Sequence, residues 1–202
     1  MTTRSSNELT LSDLRPTQMT VGLREVLRKR HEWRAAKPKA RQKLLRDHVL
    51  PVIIGPKGHL YLLDHHHFAR ALAEEKVRTA PVYIEADLQH LPKEEFWTFM
   101  DNNCWCHAYD SDGRRRKLGA IPKSLSDLSD DPFRSLVADV QRAGGCAKSD
   151  KPFWEFVWAD FLRQRLSRHK LRSDYDSELD HAVRIARSTD AKHLPGWSGP
   201  DK

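Results

Sequence analysis

The chain has no apolar run long enough to span a bilayer, and its first ten residues, MTTRSSNELT, lack the apolar stretch of a secretory signal. These absences lead us to expect a cytoplasmic protein with no membrane partner. Cysteine is scarce. Cys104, Cys106 and Cys146 are the only three, an odd number without regular spacing, which argues against a disulfide framework and predicts free thiols. Aromatic residues make up 8% of the chain and few fall among the basic clusters, so a platform for stacking single-stranded bases is not indicated. There is no internal repeat, and only the two ends read as unstructured, notably HLPGWSGPDK.

What is there is a globular composition with a basic bias. The 202 residues, 39% of them hydrophobic, suffice for one core or for one core with an appended helical lobe. The net charge of +7 favours an acidic partner, whether nucleotide, nucleic acid or another phosphate. Basic residues cluster in RKRHEWRAAKPKARQK, GRRRKLG and RQRLSRHKLR, although a basic helix face is more often simply solvated.

Periodicity divides the chain in two. ELTLSDLRPTQ reads as a short strand closed by Pro16. TVGLREVLRKRHEWRAA has helical spacing at Val21, Val26, Arg30 and Trp33, and a second helix runs from Ala40 to His48. VLPVIIG is a buried strand, GPKGH a hairpin turn and LYLLD its partner; HHHFARALAEEK returns to helix and VRTAPVYIEADL to strand. Beyond CWCHAYD no strand pattern recurs. Three helices follow in DDPFRSLVADVQRAG, PFWEFVWADFLRQRL and DYDSELDHAVRIARS, the first capped by Asp131 with Pro132 behind it and stopped at Gly144 and Gly145. The predicted class is α/β (α+β): a small mixed-sheet domain over about residues 8–110, a helical lobe over 111–190 packed on it, and a flexible tail over 191–202.

The candidate site lies in LYLLDHHHFARAL, where a buried strand feeds a helix. Asp64 stands at the N-cap position, His65, His66 and His67 in the first turn, and Phe68, Ala71 and Leu72 at the spacing of a buried stripe. A helix N-terminus offers free N–H groups and partial positive charge, so this is a place for an anion. His66 and Arg70, four apart, are positioned to hold the same phosphate. Two other readings stay open. Consecutive histidines point about 100° apart and close poorly on one ion, which weakens a metal site, and one histidine in the core with the others exposed needs no ligand at all. Cys104, Cys106 and His107 lack the paired spacing of a zinc site, so no metal is assigned. The aromatic rows of PFWEFVWADFLRQ (Phe153, Phe156, Val157 and Phe161; Trp154 and Trp158) read as core, with Glu155 and Asp160 salt-bridged or on the surface.

The segments LSDLRPTQMTVGLREV, PVIIGPKGHLYLLDHHHFARAL, DDPFRSL and EFVWADFLR together resemble the ParB-like nuclease family, a bacterial branch of the ParB and sulfiredoxin fold superfamily. The resemblance implies a ParB/sulfiredoxin-like domain whose histidine-bearing strand, turn and helix bind the phosphates of a nucleotide such as ATP, ADP or CTP, with Mg²⁺ as the accompanying cation. At this box partition proteins carry Gly-Glu-Arg-Arg, sulfiredoxins Gly-Cys-His-Arg and free-serine kinases Asp-Gly-His-His-Arg. The stretch from Asp64 to Phe68 is most similar to the kinase version, with His65 in place of its Gly and Phe68 in place of its Arg. No cysteine stands at the sulfiredoxin position. By that resemblance Glu25 is the general base of a phosphotransferase or nucleotide hydrolase, with Asp64 and His67 completing the catalytic set and His65, His66 and Arg70 gripping phosphate. The rival expectation is a DNA-binding protein or nuclease. Against it, the C-terminal helices show no recognition helix and the carboxylates no metal-binding spacing.

Overall fold

A computed structural model of the chain describes residues 7–200. Its centre is a five-stranded mixed sheet in the order β1 (Asn7–Thr10), β6 (Thr79–Asp87), β4 (Leu50–Ile54), β5 (Leu60–Leu62) and β2 (Leu14–Pro16). The β-branched run at Val52, Ile53 and Ile54 makes β4 the middle strand, antiparallel to β5 and parallel to β6. Alternation then sends neighbours to opposite faces. Val52, with Leu50 and Leu62, joins a core under α1 (Leu23–Ala35) and α3 (His66–Glu74), while Ile53 meets Phe96 and Met100 of α4 (Lys93–Asn102) on the other side. Helix α2 (Pro38–Asp47) lies on the surface and buries no residue fully.

The stretch ELTLSDLRPTQ is two strands, not one. A 3-10 turn at Leu11–Asp13 sends β1 to pair with β6 and β2 with β5, at opposite edges of the sheet. Leu11 sits buried in that turn, an apolar position that a strand pattern absorbs without trace. Val21 likewise belongs to a strand rather than to the following helix. It forms β3 (Thr20–Val21), which pairs in parallel with a two-residue strand that the sequence does not announce, β7 (Ser129–Asp130).

The helical lobe consists of α5 (Pro132–Arg142), α6 (Trp154–Arg163), α7 (Arg168–Ser173) and α8 (Tyr175–Arg187). Its core holds Phe133, Leu136, Trp158, Leu162, Ala182 and Ala186. Asp131 caps α5 as expected, its carboxylate accepting from the Phe133 N–H at 3.1 Å. Three expectations shift. Leu125 and Leu128 belong to the core under α1 and α3, so the segment expected to open the lobe packs with the sheet domain. Val157 is 44% exposed, because the buried face of α6 runs through Trp154, Trp158, Phe161 and Leu162 instead. Residues expected to form a flexible tail are packed on the lobe: Leu194 is buried, Pro195 accepts from the Trp158 indole at 2.7 Å, and the Trp197 indole donates to Ser188 at 3.0 Å.

Sheet domain and lobe meet tightly at Gly22, just before α1. A Cβ there would stand 2.4 Å from the Ser135 Oγ, 2.6 Å from its N and 3.0 Å from its Cα, so α5 approaches the Gly22 backbone directly. Backbone cannot swing aside as a flexible side chain can. Gly22→Ala is therefore expected to cost about 1–3 kcal/mol in urea unfolding, the usual penalty of overpacking; an unchanged midpoint would show that the two parts are not wedged together here.

Candidate functional site

Between the sheet domain and the lobe lies a cleft of about 640 Å³. The first turn of α3 forms one wall, and the first turn of α6 with residues 148–152 forms the other; side chains of α1 and α5 lie between. The N-caps of both helices, His65 (φ 62°) and Phe153 (φ 57°), are left-handed without being glycine, as is Cys104 (φ 54°) at the rim. Three of the five such residues among those described thus line this cleft. Each left-handed non-glycine residue costs about 1–3 kcal/mol, and such positions gather at functional sites.

The left-handed turn at His65 corrects the expected helix start. His65, not Asp64, is the N-cap, and the Asp64 carboxylate instead accepts the His65 N–H at 2.6 Å. The N–H groups of His66, His67 and Phe68 have no side-chain cap and no partner among the described residues. That leaves three free donors on the turn lining the cleft.

The histidines are fixed from behind. His66 is 4% exposed, and its Nε2 accepts the Thr17 N–H at 3.2 Å; Nε2 of His67 accepts the Gly22 N–H at 3.0 Å. A ring nitrogen that accepts from an amide carries no proton, so in both residues the proton sits on Nδ1. Burial, followed by the charges of His67 and Arg134, holds His66 well below its ordinary value, and burial with Arg134 brings His67 to about 4. Both rings are neutral at pH 7. Burial lowers His65 as well, against the opposing pull of Asp64, and its ring meets His48 edge-on at 5.4 Å.

Arg70 does not share this space. Its Nε donates to Glu74 at 2.9 Å, and its Nη1 to the Leu128 carbonyl. Arg70 thus faces the segment before β7 and is absent from the cleft lining, while His66, four residues earlier, turns in to Thr17. The expected His66–Arg70 phosphate grip is therefore not formed.

Glu25 does reach the cleft and is 6% exposed, yet it is ringed by cations. Arg28 donates to it at 2.7 and 3.0 Å, Arg142 stands at 2.9 Å and Lys29 at 3.6 Å. Burial alone would raise its pKa; the Arg28 hydrogen bonds and the charges of Arg142, Arg28 and Lys29 outweigh it and hold the carboxyl at about 2. A carboxylate so stabilised is a weak base at neutral pH, which corrects the general-base role expected for Glu25.

Arg134 is the residue that sequence reasoning missed. It stands in the first turn of α5, only 4% exposed, with Nη2 donating to Glu155 at 2.7 Å and its guanidinium carbon 3.7 Å from the Phe156 ring centre. Its Nε and Nη1 are buried without a partner among the described residues, and the side chain lines the cleft. A signal was present: an arginine in the first turn of a helix opposes the helix dipole, and within the apolar run of DDPFRSLV it has no place on a solvated face.

Among the described residues no group of three His, Cys, Asp or Glu side chains could hold a metal ion. Cys104 is exposed; burial pushes the Cys106 thiol up to about 12 and that of Cys146 to about 11, so neither is a ready thiolate. The His107 ring stacks on Tyr109 at 4.4 Å and lies 3.8 Å from Phe156, an aromatic filler behind the site. No helix among the described residues is long and apolar enough to cross a membrane.

The family model described as "Putative ParB-like nuclease" matches residues 7–164. Among solved structures, that of protein Atu1540 from Agrobacterium tumefaciens is 45% identical, superposes with a TM-score of 0.91, and aligns over 98% of this chain and 98% of that one. The C-terminally truncated chromosome-partitioning protein ParB from Caulobacter crescentus, complexed with CTP-gamma-S, is 12% identical over 92% of this chain and 94% of that one, at a TM-score of 0.34 that is too loose to carry an inference. No curated protein matches the sequence. With the family match running from β1 to α6 and thus through every wall of the cleft, the chain belongs to the ParB-like nuclease family.

Proposed function

We propose that the protein binds a nucleotide or another small phosphorylated ligand in this cleft, with a phosphate seated on the first turn of α3. The observation that carries this reading is the meeting of three free N–H groups at His66, His67 and Phe68 with the unpaired, buried donors of Arg134 across the cleft. Free N–H groups at a helix start favour an anion, and a desolvated guanidinium without a full set of acceptors favours one strongly. His66 and His67 support the turn from behind through Thr17 and Gly22, so we assign them to shaping the seat.

Mg²⁺ fits only as a companion of the ligand. Glu25 and Glu155 are already neutralised by arginines, and the remaining carboxylates lining the cleft, Asp64 and Asp150, are too few for a protein cage. A phosphotransferase or hydrolase acting here would need a base other than Glu25.

A thermal-shift screen against ATP, ADP, CTP and inorganic phosphate, each with and without Mg²⁺, tests the reading. Ligand at a hundred times its Kd stabilises the native state by about 2.7 kcal/mol. At least one of the four is expected to raise the melting temperature by several degrees. No shift with any of them, together with nicking of plasmid DNA in Mg²⁺, would instead favour the nuclease reading that the family's description carries.

A further inference from the structure

Glu25 and its three cations do more than join two parts of the fold. Arg28 and Lys29 come from α1 and Arg142 from α5, and all line the cleft together with the carboxylate they surround. We propose that Arg28, Lys29 and Arg142 form a second phosphate subsite, which Glu25 occupies as an internal counter-ion until a ligand phosphate takes its place. The inference rests on the phosphate-binding reading above and adds to it where the rest of a polyphosphate chain lies.

Three features support this. The cations approach one buried acceptor at 2.7 to 3.6 Å, which is the arrangement a phosphate oxygen needs. Two of them keep another acidic neighbour if Glu25 is taken away: Arg28 stands 3.7 Å from Glu32, and Arg142 2.6 Å from Asp139. The cradle therefore survives the departure of the carboxylate. Finally, Lys148 and Lys151, on the loop that rims the cleft, have no ion-pair partner among the described residues, so a ligand phosphate meets more positive charge here than Glu25 neutralises. With Glu25 only 6% exposed, the acceptor position lies below the surface, out of reach of the side of a DNA duplex.

The test is calorimetric titration of wild type, Glu25→Gln and Arg142→Gln with inorganic phosphate, pyrophosphate and ATP, with a short DNA duplex as a fourth titrant. Removing a like charge from the subsite is expected to tighten pyrophosphate and ATP binding by about tenfold or more in Glu25→Gln, and losing a cation to weaken both by a similar factor in Arg142→Gln. Unchanged or weaker binding by a folded Glu25→Gln protein, with wild type still binding ATP, would overturn the subsite and leave the phosphate seat on α3 standing. Should Glu25→Gln not fold, Arg142→Gln decides, since a purely structural ion pair leaves affinity unchanged. Tightening confined to the duplex would also overturn the proposal. Failure of every variant to bind any of the small phosphates would overturn the α3 seat as well.

Discussion

Acidification from pH 7 to pH 4 is expected to unfold the protein, and His107→Phe is expected to move that transition to lower pH. Above about 6.5 His66, His67 and His107 are neutral in both folded and unfolded chains and do not affect stability. Below it the unfolded chain takes up protons that the folded one refuses until about 4 at His67 and about 3 at His107, where burial and nearby arginines oppose the charge. A base with a depressed folded pKa thus loses stability as pH falls from the unfolded value to the folded one. At about 1.4 kcal/mol per unit, the fall to pH 4 removes about 3 kcal/mol at His67 and about 3 kcal/mol at His107, which goes on losing stability down to about pH 3, against a typical total of about 5–15 kcal/mol. His66 acts in the same direction. Glu25, held at about 2, adds a later loss, from its ordinary 4.5 downward. The His107 ring packs on Tyr109, Phe153 and Phe156, so phenylalanine keeps the packing and removes the titration. Tryptophan fluorescence against pH should show the His107→Phe midpoint lower by about half a unit or more; coincident curves would show that His107 is not the residue that acid attacks.

Arg134→Met is expected to lower ATP or phosphate affinity by about a hundredfold while leaving a folded protein. Hydrogen bonds to a charged group contribute about 1.5–3 kcal/mol each, and the substitution removes from the cleft lining a guanidinium with two unpaired donors. Methionine fills the space against Phe156, and the Glu155 side chain, 41% exposed, regains water when its partner is lost. Arg134→Lys should fall between the two, because an ammonium keeps the charge without the planar fork. Arg70→Met, whose guanidinium lies against Glu74 and Leu128, should bind as wild type does. Calorimetry on the three variants checks the order; equal loss at positions 70 and 134 would mean that the cleft is not the binding site.

Much of the architecture could be read from the chain, and the failures have physical causes. The β-branched run of β4, the hairpin at GPKGH, the Asp131 cap and the lobe helices are local patterns, and each appears in the structure. What escaped was long-range. Nothing near Leu11 tells that β1 and β2 go to opposite edges, and β7 exists only because β3 lies beside it. The site divides in the same way. The α3 turn was visible as a strand feeding a helix, but Glu25 meets Arg142 across 117 positions and Arg134 meets Glu155 across 21, and only the packing of α1, α5 and α6 brings these together. Arg70 was misplaced because the i, i+4 spacing does not tell which neighbours each side chain finds: His66 turns in to Thr17, while Arg70 is held by Glu74 and the Leu128 carbonyl.

Amide NMR during titration with ATP reports most directly on a phosphate seated on the first turn of α3. The N–H signals of His66, His67 and Phe68 are expected to move downfield together and saturate, with the Arg134 Nε–H moving alongside them, because a phosphate oxygen gives these donors the acceptor they lack. Saturating shifts confined to the basic surface of α2, with those four signals unmoved, would contradict it.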